Sequence, residues 1–180
     1  MKHPRILIAG VGNIFLGDDA FGVEVVRRMA QRRLPAAVRV IDFGIKGIDL
    51  AYTLLEDYDG AILVDAVSRG GEPGMLYVLE PDLDNMENTG AGGQVVEAHG
   101  MDPVEVLRLV RILGGPLPTI RVVGCEPATF ASADGRTGLS APVDAAVEGA
   151  ITLIEALTRE WLDQEAASCT NSALPKRLST

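Results

Sequence analysis

The chain has 180 residues, 47% of them hydrophobic and only 4% aromatic, which is enough for one domain with a sizeable core and fits a sheet of small aliphatic side chains covered on both faces. A formal charge of −9 excludes a nucleic-acid surface, which needs clustered Lys and Arg to displace counterions; it suits a basic partner segment or simply solubility. Met1-Lys2-His3-Pro4 leads straight into apolar sequence and no apolar run approaches the roughly 20 residues of a membrane span, so a cytoplasmic protein without signal peptide or membrane segment is expected.

The segment from Arg5 to Met29 reads as buried strand, tight loop and acidic helix start. Ile6 to Val11 is apolar or small, Gly10-Val11-Gly12-Asn13 is the loop, and Asp18 and Asp19 precede a helix with Phe21, Val25, Val26 and Met29 on one face. Carboxylates in a first helical turn complement the helix dipole, a role worth about 0.3 to 1 kcal/mol that suits Asp18 and leaves the second acid to spare. A dinucleotide fingerprint is not present. The spacing is G-x-G-x-x-x-x-G, the helix begins late, and two carboxylates stand where a pyrophosphate would sit.

Val38 to Asp42 is a second short strand, followed by a helix from Gly47 to Tyr58 with Ile48, Ala51, Tyr52 and Leu55 at helical spacing. Ala61 to Val67 is the most apolar run and predicts a central strand. Asp65, inside its carboxyl end, is costly to bury uncompensated and is expected to serve a site. Ser68 to Gly74 is too short for a crossover helix, so Met75 to Leu79 is expected antiparallel at a sheet edge. Pro81 to Ala98 is a long polar loop of a length usually kept for function, and it delivers His99. Asp102-Pro103-Val104-Glu105 opens a helix whose stripe is Val106, Leu109, Val110 and Leu113. Thr119 to Cys125 is the fifth strand. Ser140 then caps the longest helix, with Val143, Val147, Ile151, Ile154 and Trp161 in register. Cys125, in a buried strand, and Cys169, in a polar tail, are expected to be free thiols.

This order predicts a three-layer α/β/α sandwich with a mixed, mostly parallel five-stranded sheet and one antiparallel edge strand. Residues 1–165 form the single domain and 166–180, which lack an apolar stripe, a disordered tail. Sites in such sheets gather beyond the carboxyl ends of the strands. Right-handed crossovers bring Asp18, Asp19, Asp42 and Asp65 to that rim, and His99 arrives from the long loop. Several acids and one imidazole without a neighbouring lysine repel one another, and a divalent cation such as zinc or nickel would relieve that.

Five motifs together resemble the hydrogenase maturation endopeptidases: G-V-G-N-x-x-x-G-D-D-x-x-G-V at Gly10 to Val23, I-D-F-G-x-x-G at Ile41 to Gly47, L-V-D-A at Leu63 to Ala66, H-G-M-D-P at His99 to Pro103, and V-G-C-E-P at Val123 to Pro127. The resemblance spans about residues 5 to 160, in the family's order, and implies a phosphorylase/hydrolase-like fold. It implies a cytoplasmic protease, of aspartic type, that removes a C-terminal extension from the large-subunit precursor of a nickel-iron hydrogenase after nickel insertion. It implies Asp19, Asp65 and His99 as the catalytic, metal-binding trio, with aspartate at the first position where members often carry glutamate. Asp42, Gly44 and Gly47 match the segment assigned to substrate recognition. Nickel would be supplied by the substrate, zinc or cadmium would be able to occupy the site, and no nucleotide, nucleic acid or membrane is implied. The competing classes are a non-catalytic, metallochaperone-like domain that binds the nickel-loaded large subunit, and a nucleotide-binding oxidoreductase.

Overall fold

In the computed structural model the described residues are 5–82, 103–130 and 138–171, with the backbone alone for 165–171. His3, His99 with the loop that carries it, Asp102, and the tail beyond Asn171 lie outside them, as does the side chain of Cys169.

Strand β1 (Ile6–Val11) is buried along its whole length, because its neighbours on both sides are also strands and both faces are covered by helices. It pairs in parallel with β2 (Val38–Gly44) on one side and β3 (Gly60–Ala66) on the other. β5 (Thr119–Cys125) pairs in parallel with β3, and the four-residue β4 (Leu76–Leu79) closes the edge antiparallel to β5. The sheet order is therefore β2-β1-β3-β5-β4. Strand alternation divides the core in two. Leu7, Ala9, Ala61 and Leu63 face α2 (Gly47–Leu54) and α3 (Pro103–Ile112), while Ile8, Ile62, Val64 and Val123 face α1 (Phe21–Met29) and α4 (Ala141–Asn171). This is the expected three-layer sandwich with its antiparallel edge strand.

The helices differ in detail from the sequence expectation. α1 buries Phe21, Val25, Val26 and Met29 as expected. α2 stops at Leu54, where bonds from Leu55 to Tyr52 and from Glu56 to Thr53 tighten the chain and turn Tyr58 into the core. Its buried face is Leu50, Ala51 and Leu54, a burial worth about 1.5 to 3 kcal/mol for each leucine. Ile48 and Tyr52, expected inside, are exposed. In α3 the buried set is Val106, Leu107 and Val110, and Leu113 faces solvent beyond the helix end. α4 continues past Gln164 to Asn171, carried by good helix formers such as Glu165, Ala166 and Ala167 rather than by an apolar stripe. No helix among the described residues is long and apolar enough to cross a membrane.

From β1 the chain crosses through α1 to β2, then returns through α2 past β1 to β3. The connections thus leave the carboxyl ends of β1 and β3 in opposite directions, which opens a crevice between these two strands.

Candidate active site

The crevice is shaped by backbone contacts that admit no side chain. A Cβ on Gly22 would lie 2.0 Å from the carbonyl oxygen of Val64 and 2.3 Å from that of Val11, so α1 begins directly on the carboxyl ends of β3 and β1. Gly12 has φ +131°, and a Cβ there would lie 1.8 Å from the Asp19 carbonyl oxygen. Only glycine serves in either place. Between them a 3-10 turn, Gly17–Ala20, carries both aspartates and packs against β3.

Asp19 is held by its own loop. The Asn13 N–H donates to Asp19 Oδ2 at 2.7 Å, the Asn13 side chain accepts from the Phe15 N–H at 3.0 Å, and the Asp19 N–H donates to the Leu16 carbonyl at 3.2 Å. Asp65 is the penultimate residue of β3, and its Oδ1 accepts the following Ala66 N–H at 2.8 Å. By strand alternation it lies on the face of Ala61 and Leu63. Each aspartate is 8% exposed, enough to meet solvent and too little to be hydrated as in water.

Asp18 has a different role from the one expected. It is fully buried, and its carboxylate accepts the N–H groups of Ala128, Thr129 and Ser140 at 2.8, 3.1 and 2.6 Å together with the Ser140 hydroxyl at 2.9 Å. Asp18 is thus a clamp between the β1–α1 loop, the segment after β5 and the start of α4, not a dipole complement to its own helix. The Ser140 hydroxyl, expected to cap α4, donates to this clamp.

Glu126 forms a second clamp that the sequence reasoning passed over. It is 5% exposed and accepts the N–H groups of Arg69 and Gly70 at 2.8 and 3.1 Å and the Tyr77 hydroxyl at 2.8 Å, fixing the β3–β4 turn against β5. Burial pushes its carboxyl up, but the bonds from Arg69, Tyr77, Gly71 and Gly70 outweigh that and hold it below the usual carboxylate range. The available signal was the one used for Asp65, an acid at the end of an apolar strand, with a glycine-rich turn nearby to supply N–H groups. Cys125, between the two clamps, is a free thiol pushed up to about 12 by burial and by the Asp18 and Glu126 charges. It is no thiolate nucleophile near neutral pH.

Asp42 reaches the same rim in backbone terms, opposite Gly10. Its side chain turns to α1 and accepts from the Arg27 guanidinium at 3.1 Å. Gly44 has φ +53°, and its carbonyl accepts the Gly12 N–H at 3.0 Å, tying the β2–α2 loop to the loop of Asp19. Gly47 begins α2. The structure therefore places Asp19 after β1 and Asp65 at the carboxyl end of the adjacent β3, and Asp42 on the α1 side of the rim.

The model of a family described as hydrogenase maturation protease matches residues 23–157. The chain belongs to this family. A relative from Methanocaldococcus jannaschii is 36% identical over 155 residues, covering 86% of this chain and 96% of that one. The hydrogenase 2 maturation protease of Escherichia coli K12 is 32% identical over 158 residues, covering 87% of this chain and 92% of its own. The solved hydrogenase maturating endopeptidase HybD of Escherichia coli is 30% identical, superposes with a TM-score of 0.68, and is matched over 87% of this chain and 93% of that one. The chain is therefore a peptidase of the hydrogenase maturation class, and the Gly12 and Gly22 contacts with Asp18 and Asp19 are the structural content of the motif from Gly10 to Val23.

Among the described residues no group of three metal-ligating side chains is assembled. Asp19 and Asp65 offer two nearly buried carboxylates, each taking a main-chain N–H, and carboxylate oxygens alone suit hard divalent cations, so that zinc or nickel would call for an imidazole as well.

Proposed function

We propose that the protease removes the C-terminal extension of a nickel-iron hydrogenase large-subunit precursor in the cytoplasm, and that it does so once nickel is in place. The observation that carries this reading is the pair of nearly buried aspartates, Asp19 and Asp65, beyond the carboxyl ends of adjacent strands in a chain of the maturation-protease family. Asp19 and Asp65, with His99 assigned by resemblance, complete the coordination of the nickel that the precursor presents. The ion belongs to the substrate, and zinc or cadmium could stand in for it. A metal ion at this place polarises the scissile carbonyl or lowers the pKa of a bound water. The protein's own part is orientation. The N–H of Asn13 and the N–H of Ala66 set the carboxylate planes, Gly22 fixes the width of the crevice, and the near-complete burial of both acids excludes competing water. Asp42, Gly44 and Gly47 meet the precursor beside the crevice.

The test is to mix metal-stripped enzyme with apo and nickel-loaded precursor and to follow the released peptide by mass spectrometry. Cleavage of the loaded precursor alone is expected. Equal cleavage of both would remove nickel sensing from the mechanism, cleavage only after zinc is added to the enzyme would indicate a metalloprotease with its own ion, and a precursor that is bound but never shortened would leave a non-catalytic binding domain.

A further inference from the structure

Nine large hydrophobic side chains are exposed among the described residues, and five of them, Ile14, Phe15, Ile45, Ile48 and Tyr52, stand on the β1–α1 loop, the β2–α2 loop or the outward side of α2. Ile48 and Tyr52, four apart in α2, share its outward face away from the buried Leu50, Ala51 and Leu54, and Ile45 stands in the loop just before the helix. Ile48 is 65% exposed, Tyr52 59% and Phe15 68%. Such a concentration is not the scatter of single apolar residues that any surface carries.

Hydrogen bonds tie the loops that carry Phe15 and Ile45 to Asp19, although Phe15 itself lines a groove with α1 and the start of α4. The Phe15 N–H is held by the Asn13 side chain, whose own N–H is held by Asp19, and the Gly12–Gly44 hydrogen bond joins that loop to the one ending at Ile45. Lys46 and Asp49, the exposed charges beside Ile45 and Ile48, are of opposite sign, so the strip is apolar without net charge and selects no charged partner. A second copy of the chain seated here would cover the loops that wall the crevice, whereas a substrate seated here is oriented toward it.

We propose that the α2 ridge and Phe15 dock an apolar segment of the precursor's folded body, away from the bond that is cut. This rests on the functional reading above. A contact that holds ground state and transition state equally is read in KM with kcat unchanged, and a docking contact remote from the cut bond is proposed to be of that kind.

The experiment compares the wild-type chain with Ile48→Ser/Tyr52→Ser, with Phe15→Ser, and with Ile112→Ser as an exposed control on α3, all acting on nickel-loaded precursor. For the double variant KM is expected to rise by about tenfold with kcat within about twofold, a loss of ordinary size for the centre of a protein–protein contact. Phe15→Ser should shift KM in the same direction, and Ile112→Ser should behave as wild type. Melting temperatures should be unchanged, since every substituted side chain is exposed. A wild-type KM in the double variant, a fall in kcat alone, or a wild-type dimer that the double variant dissolves would overturn the docking ridge. A wild-type enzyme that leaves the loaded precursor uncut would overturn the functional reading, and the ridge with it.

Discussion

Two adjacent residues of one turn, Asp18 and Asp19, show how a buried carboxylate is committed to structure or reserved for chemistry. Asp18 is sealed from solvent and takes four hydrogen bonds from residues more than a hundred positions away in sequence. Asp19 keeps a narrow opening to solvent and is aimed by the N–H of Asn13, six residues before it. Asp65 repeats the second pattern, with a bond from the very next N–H, and Glu126 repeats the first. A clamp gathers donors from distant segments and thereby holds them together. Asp19 and Asp65 each take an N–H from a residue close in sequence and keep an opening to solvent through which a partner can approach.

The largest expected effect separates the two kinds by activity. Asp19→Asn and Asp65→Asn should each reduce cleavage of loaded precursor by about 10²- to 10⁴-fold, the range of a lost acid–base or ligand contribution. Each amide can still accept its local N–H, so melting temperatures should stay within a few degrees of wild type. His99→Ala should act likewise by the family resemblance. Wild-type rates in any of the three would remove that residue from the site, and a collapse in stability of Asp19→Asn would make it a third clamp.

Asp18→Ala should do the reverse. Three N–H groups and a hydroxyl would lose their acceptor, at a cost of about 3 kcal/mol even if water recovers part of it. For a domain of this size that is a fall in melting temperature of about 6 to 12 °C by thermal unfolding. A shift below about 2 °C, the size of a helix-dipole effect, would restore the role that the sequence suggests.

Much of this was legible before any coordinates. The succession of elements, the antiparallel edge strand and the acid at the end of β3 follow from apolar runs, loop lengths and the cost of burying charge, because these are local quantities, whereas the order of the strands in the sheet is seen only in the structure. The role of Asp18 was not legible, since its partners, Ala128, Thr129 and Ser140, become neighbours only through the tertiary fold. Glu126 was missed for the same reason. α2 failed differently. Its apolar residues cover more of the helix than one neighbour can bury, so periodicity names the candidates but not which of Leu50 and Ile48 faces inward. The surplus Ile48 and Tyr52 then become informative in their own right.

A smaller effect tests the second clamp by pH. Glu126 is held below the usual carboxylate range by the bonds that outweigh its burial, so the unfolded chain takes up its proton first as pH falls. The stability it contributes is complete above the unfolded value of about 4.3 and is lost as pH drops through the lower folded value. Melting curves of wild type and Glu126→Gln should therefore differ at pH 6 to 7 and converge as pH falls from the unfolded value through the lower folded one. A difference that is constant across that span would mean that the charge on Glu126 contributes nothing.

The smallest expected change concerns Cys125, which lies beside both clamps and within a family motif, and which a sequence alone would allow as a nucleophile. With its thiol pushed up to about 12, roughly one molecule in ten thousand carries a thiolate at pH 8, and the side chain is fully buried. Cys125→Ala should leave the cleavage rate within about twofold of wild type, at a stability cost of about 1 kcal/mol for the vacated volume. Iodoacetamide should modify Cys125 in denaturant and not in the native enzyme, as followed by peptide mass spectrometry. Rapid native labelling of Cys125 together with a large loss of activity in the alanine variant would move the chemistry from the aspartate crevice to the end of β5, and the division between clamps and site acids would then have to be redrawn around the thiol.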